Sequence, residues 1–146
     1  MRRGCDDGSP RLGVSDRVDF MQDDVESFAG GPYDLVWPFD MLHDLPAPSV
    51  AVETIRAQLA DDGVLCAVEP AAGDDMAENI ATNPAAVLHY TASTFLSIPN
   101  SLTHPDGAAL GAQAGGRIVT KTIEDGGFKD VKRVAATPVH HVYTAR

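Results

Sequence analysis

The sequence predicts an α/β fold with a largely parallel sheet. Three observations lead there. Strand signals and helix signals alternate along the chain, an order that lays helices against the faces of a sheet. Val64-Leu65-Cys66-Ala67-Val68 is a continuous apolar run of strand length, expected of a strand covered on both faces. A short Thr137-Pro138 connection joins two last strands, which suits an antiparallel pair.

The elements follow in order. Residues 1–16 are polar, rich in Gly and Asp and without a period, so they read as irregular. Arg17-Val18-Asp19-Phe20-Met21 alternates and predicts a short first strand. Tyr33-Asp34-Leu35-Val36-Trp37 predicts a second, stopped by Pro38. Ser49 is the expected N-cap of a helix from Val50 to Ala60, where Val52, Ile55 and Leu59 recur at helical spacing. Asp61-Asp62-Gly63 predicts a turn with Gly63 at positive φ, and Glu69-Pro70 ends the apolar strand that follows.

Residues 74–83 are polar and carry no assigned element. Pro84 opens a helix to Ser97 whose apolar face is Val87, Leu88, Thr91, Phe95 and Leu96. Pro99-Asn100-Ser101 should break it. Arg117 to Asp125 predicts one more helix, with Ile118, Val119 and Ile123 inward and Gly126-Gly127 at its end. The strands Asp130–Val134 and Val139–Ala145 close the chain.

At 146 residues the chain is one domain. Its net charge of −10 disfavours a sequence-independent nucleic-acid binder and a polybasic membrane-surface protein. Residues 1–63 carry −8, residues 64–116 carry −5 without a single base, and the last thirty carry +3. Cys5 and Cys66 are the only cysteines, and neither has a CxxC partner for zinc or redox chemistry. No charged-then-apolar leader opens the sequence, and no apolar run approaches the ~18–20 residues of a membrane span. A cytoplasmic location, with no membrane partner, is the expectation.

In such a sheet, ligands sit beyond the carboxyl ends of the strands. After the first expected strand come Asp23 and Asp24, which are either solvated acids or acceptors for a nucleotide amine. After the second comes Phe39-Asp40-Met41-Leu42-His43-Asp44. An aromatic there can cover a flat ring. His43 is either a polar loop residue or a general base near neutral pH, with Asp40 or Asp44 to orient it. After the third comes Glu69. His140 and His141 are neighbours on a strand and point to opposite faces, so they cannot chelate one metal together, and no metal site is expected. His89-Tyr90 is either pocket lining or helix surface. There is no GxSxG, no GxxxxGK[ST], no HExxH and no GxGxxG.

The ordered series of motifs resembles the class I S-adenosylmethionine-dependent methyltransferases, in a bacterial subgroup acting on small molecules. Tyr33–Trp37 with Phe39–Asp44 is similar to their fourth strand and its exit loop. Leu59-Ala60-Asp61-Asp62-Gly63-Val64-Leu65 followed by Val68-Glu69-Pro70 is similar to the turn and fifth strand. Ser97–Leu102, Ala109-Leu110-Gly111, Gly127-Phe128 and the terminal Val142–Arg146 continue the series. The match runs from about Val14 to the end.

The resemblance implies a partial Rossmann-like sheet with the equivalents of strands 3, 4, 5, 6 and 7, from the family order 3-2-1-4-5-7-6. It implies S-adenosylmethionine as cofactor, with Asp24 and Val25 at its adenine and Phe39 along it. It implies His43 and Asp44 as the catalytic pair that deprotonates a small-molecule hydroxyl. Strands 1 and 2, with the glycine-rich turn and ribose-binding acid, have no counterpart in the sequence. The expectation is therefore a single, N-terminally truncated methyltransferase domain over residues 1–146, impaired in activity. The alternative is a non-catalytic fragment or binding module whose partner chain supplies the missing strands. A homodimer is a further expectation of assembly.

Overall fold

A computed structural model describes Gly13 and residues 16–146. The expectation for residues 1–16, and Cys5 with it, lies outside the described residues apart from Gly13 and Asp16.

The described residues form four strands, β1 (Tyr33–Val36), β2 (Leu59–Pro70), β3 (Lys132–Ala136) and β4 (His140–Ala145), in the order β1-β2-β4-β3. The β1–β2 pair is parallel, with Leu35 opposite Val64 and Val36 opposite Leu65. β2–β4 and β3–β4 are antiparallel. This is the 4-5-7-6 part of the expected order. The sheet is mixed rather than largely parallel, because only one parallel pair forms.

The strand expected at Val18–Met21 is absent. These residues are non-strand, and Phe20 and Met21 are exposed. A strand exists only where a neighbouring strand takes its backbone hydrogen bonds, and the sheet of the described residues includes no strand paired with this segment.

The helices are α1 (Pro48–Gln58), α2 (Met76–Thr82), α3 (Ala86–Ala92), α4 (Ile98–Ser101) and α5 (Gly116–Asp125). A single-turn 3-10 helix covers Leu42–Asp44, and a wide π-turn at Ser93–Ser97 links α3 to α4. α1 begins before the expected Ser49 cap. Pro48 occupies its first turn and Ala47 stands at the cap without a side-chain hydrogen bond, since proline's fixed φ suits that turn. α2 was not expected from its polar sequence. Asp75 caps it by accepting from the Glu78 amide at 2.9 Å. Pro99 does not break the chain's helical path, which runs through the π-turn into α4 with Ser97 and Ile98 both helical; the widened turn takes in the residue that has no N–H.

Gly63 is another difference. β2 runs through it as strand, and its φ is not positive. Glycine is needed there for closeness: a Cβ would stand 2.8 Å from the Tyr33 carbonyl oxygen on β1.

The core lies between one face of the sheet and the α1–α5 pair. Val52 and Ile55 of α1 and Val119 and Ile123 of α5 meet Leu65, Ala67, Tyr143 and Ala145. Ile118, expected inward, is exposed. The other sheet face carries Leu35, Cys66 and Val142. Leu35 is exposed and the other two are half-buried, so the two-sided cover expected of the apolar run is not completed by the described residues.

The stretch from α3 to α4 is turned over relative to expectation. His89, Ser93, Ser97 and Ser101 are buried, while Val87, Leu88, Phe95 and Leu96 are exposed. Its inward neighbours are backbone groups rather than apolar side chains. Ser101 Oγ accepts from the Ala109 amide at 3.0 Å, and Asn100 donates to the Asp44 carbonyl at 3.3 Å.

Candidate active site

The site forms where β1 and β2 end together. Beyond β1 the chain keeps contact with β2: the Val68 amide donates to the Pro38 carbonyl and the Asp40 amide to the Val68 carbonyl. Asp40 then turns the chain with φ of 55°, a left-handed conformation that Asp tolerates better than most residues. The 3-10 turn follows at once. It aims His43 back at the end of β2.

There His43 meets Glu69. His43 Nδ1 lies 2.7 Å from Glu69 Oε2, and Glu69 is 1% exposed. Glu69 Oε1 accepts from the Leu42 amide at 2.8 Å and the Met41 amide at 3.3 Å. One buried carboxylate thus anchors the turn and orients the ring on it. A carboxylate is an acceptor only, so this geometry puts the neutral ring's proton on Nδ1 and leaves Nε2 as the basic lone pair.

Asp44 stands on the other side, with Oδ1 3.4 Å from His43 Nε2. It does not orient the neutral ring, as the sequence allowed. It faces the nitrogen that would gain a proton. Asp40, the other candidate, lies 3.9 Å from His140 instead. Burial alone would push the His43 pKa down. The hydrogen bond and charge of Glu69, helped by Asp44 and Asp40, outweigh it and hold the pKa above its ordinary value.

Glu69 as the orienting group was not read from the sequence. The signal was available, since a carboxylate ending an apolar strand is costly unless paired. The sequence separation of 26 from His43 hid the pairing.

Two clefts reach the ends of this turn, at Asp44 and at Met41. One, of about 440 Å³, is lined by Asp44, Phe95, Leu96, Ser97, Pro99 and Asn100. The other, of about 280 Å³, lies at the end of β1 among Met21, Asp23, Val25, Phe28, Trp37 and Met41. Val25 lines it, as does Asp23 in place of Asp24. Asp24 is exposed beside it, and its Oδ1 accepts from the Glu26 amide at 3.0 Å. Phe39 stays outside this cleft, exposed between Trp37 and His140, with ring centroids 6.4 and 5.7 Å away. The structure therefore brings His43, Asp44 and Glu69 together and keeps Asp24 and Phe39 apart from them.

Gly111 closes the back of the site. Its amide donates to the His43 carbonyl at 3.1 Å with φ of 75°. A Cβ there would stand 2.7 Å from Gln113 Oε1 and 2.9 Å from Ser93 Oγ. No group of three metal-binding side chains forms among the described residues. No helix of those residues is long and apolar enough to cross a membrane.

No protein-family model matches the sequence, and no curated protein matches it. Solved structures do. PigF, solved with S-adenosylhomocysteine, is similar over 95% of this chain with a TM-score of 0.67 and 22% identity, and 38% of its own length is covered. An O-methyltransferase family 2 protein from Planctomyces limnophilus, in complex with apigenin, is similar over 94% of this chain and 37% of its own, with a TM-score of 0.68 and 18% identity. Human N-acetylserotonin methyltransferase, in complex with S-adenosylmethionine, is similar over 90% of this chain and 34% of its own, with a TM-score of 0.62 and 18% identity. The chain spans little more than a third of each of these structures. The likeness shows the fold: the described residues carry part of the class I methyltransferase fold.

Proposed function

We propose that this chain is the acceptor-side part of an S-adenosylmethionine-dependent O-methyltransferase acting on a small molecule. The observation that carries the reading is the His43–Glu69 pair at the carboxyl ends of β1 and β2, with an open cleft beside Asp44. The solved relatives were captured with S-adenosylmethionine, its demethylated product or a small phenolic compound, which supports the choice of cofactor and acceptor class.

The residues present fit one half of that cofactor. The cleft of Met21, Val25, Trp37 and Met41, with the Asp23 carboxylate at its rim, suits a flat ring carrying an amine. Among the described residues, nothing supplies a glycine-rich turn or a strand-end acid for the ribose and methionine parts. When bound, the cofactor supplies an electrophilic methyl group on a sulfonium sulfur.

The chain's own part is to make the acceptor nucleophilic. His43 Nε2 takes the proton of an acceptor hydroxyl, so that its oxygen would be ready to receive the methyl group a bound cofactor would supply. Glu69 keeps the ring oriented through Nδ1, and Asp44 stabilises the ring once it holds two protons. The cleft of Phe95 and Leu96 holds the acceptor's apolar body.

The test is label transfer from methyl-labelled S-adenosylmethionine to phenol and catechol by the chain and by its His43→Ala variant. Turnover falls at least ~100-fold in the variant, while cofactor affinity is unchanged. Equal turnover in both proteins removes His43 as the base.

One observation favours a second reading. Among the described residues β1 forms the end of the sheet, and Leu35 on it and Trp37 just beyond it are exposed. An open apolar edge is a template for strand addition. In this reading the chain binds cofactor only when strands from other polypeptide pair with β1. Calorimetry of the chain alone with S-adenosylhomocysteine then gives affinity weaker than micromolar, and micromolar binding by a clean monomer in sedimentation would overturn it.

A further inference from the structure

His89 lies outside the pair just described, and its environment is unusual. It is 8% exposed on the inward face of α3, and its Nδ1 is buried with no hydrogen-bond partner. Buried polar atoms are nearly always paired, so such an atom points to a group that arrives from outside. Two other buried side-chain atoms share this condition, Asp44 Oδ1 and Gln113 Oε1. Both are acceptors, and both flank His43. Asp44 faces its Nε2, and Gln113 lies against Gly111, which bonds the His43 carbonyl.

His89 belongs to the same surroundings. Ser93, one turn on, donates to the His89 carbonyl at 2.7 Å and lies against Gly111. The charges that bear on the His89 ring are those of Asp40, His140 and His43, the last being the candidate base itself. Burial holds the ring's pKa below the ordinary value; His140 and His43 add to this, while Asp40 and the Ala71 carbonyl oppose it. The ring is therefore neutral at pH 7. With its proton on Nε2, toward that carbonyl, Nδ1 is a bare lone pair. All three unpaired atoms are then acceptors.

We propose that His89 is a specificity-determining residue of the acceptor site, whose Nδ1 receives a hydrogen bond from a second donor group on the molecule deprotonated by His43. This rests on the reading of His43 as the acceptor's base. A ligand with one hydroxyl leaves Nδ1 unpaired, and a ligand with two satisfies it. Discrimination of this kind is strong because the unpaired state is buried.

The test uses the full chain with ring-labelled histidines, titrated with phenol and with catechol while the His43 and His89 resonances are followed by NMR. Both probes shift His43. Catechol also shifts His89 and binds about tenfold more tightly than phenol, the usual worth of one hydrogen bond. In His89→Phe the catechol advantage falls to within about twofold, and in His89→Gln, which keeps an acceptor atom, most of it remains. A catechol advantage retained in His89→Phe, or a His89 resonance that catechol leaves unmoved, overturns the proposal. Should His89→Phe fail to fold, the wild-type His89 resonance decides. If neither probe shifts His43 in the wild type, the reading of the acceptor site itself fails, and this inference with it.

Discussion

The helix of residues 48–58 and the helical stretch of residues 86–101 both carry an apolar stripe, and they face opposite ways. α1 turns Ala51, Val52 and Ile55 into the core. The later stretch turns His89, Ser93, Ser97 and Ser101 inward and leaves Val87, Leu88, Phe95 and Leu96 outside. What each meets explains the difference. α1 meets an apolar sheet face and α5. The later stretch meets the backbone of residues 44–45 and 109, where amides and carbonyls need partners. Periodicity tells that a helix exists. The surface opposite decides which stripe is buried.

Three substitutions would break or sharpen this contrast. The largest effect is expected at Glu69, which anchors the turn that the 86–101 stretch covers. Glu69→Ala leaves two amides and His43 without their buried partner and should cost about 3–5 kcal/mol, read by urea unfolding. Next is Ile55→Ala in α1, about 2–4 kcal/mol by the same measurement. Phe95→Ser on the outer stripe should change the stability of the chain by less than about 0.5 kcal/mol. A loss like that of Ile55→Ala would show that the stripe is buried in solution.

Between these lies a pH effect of two signs. His43 holds its proton more tightly when folded, so its stabilising contribution is full below the ordinary histidine pKa and is lost as pH rises through its raised folded value. The His89 pKa is lowered, so its neutral ring favours the folded state and that stability is lost as pH falls below the ordinary value. The cost of His43→Gln should therefore shrink on raising the pH. Replacing His89 by Gln should instead relieve destabilisation at low pH. Unfolding curves across the histidine range check both.

The contrast also marks how far the sequence was legible. β1, β2, α1, α5 and the closing strand pair could be read because each carries its own period or punctuation. The 86–101 stretch could be read as a helix but not as an inverted one, because its polar partners lie 56 residues earlier, at Asp44 and Leu45, and beyond it at Ala109. Val18–Met21 alternates like a strand, yet a strand depends on a neighbour that local pattern does not reveal. At the site, His43 and Asp44 were legible as a pair in a loop. Glu69 was visible only as an acid at a strand end, since its role is set by the parallel register of β1 on β2.

That register underlies the central claim, that Glu69 holds His43 as a base. The most direct measurement is the His43 titration by NMR in the wild type and in Glu69→Gln. The account predicts a wild-type pKa above the ordinary value of about 6.5, and a lower one in the variant, where the charge that favours the protonated ring is gone. A His43 that titrates at or below the ordinary value, or one that Glu69→Gln leaves unmoved, would contradict it.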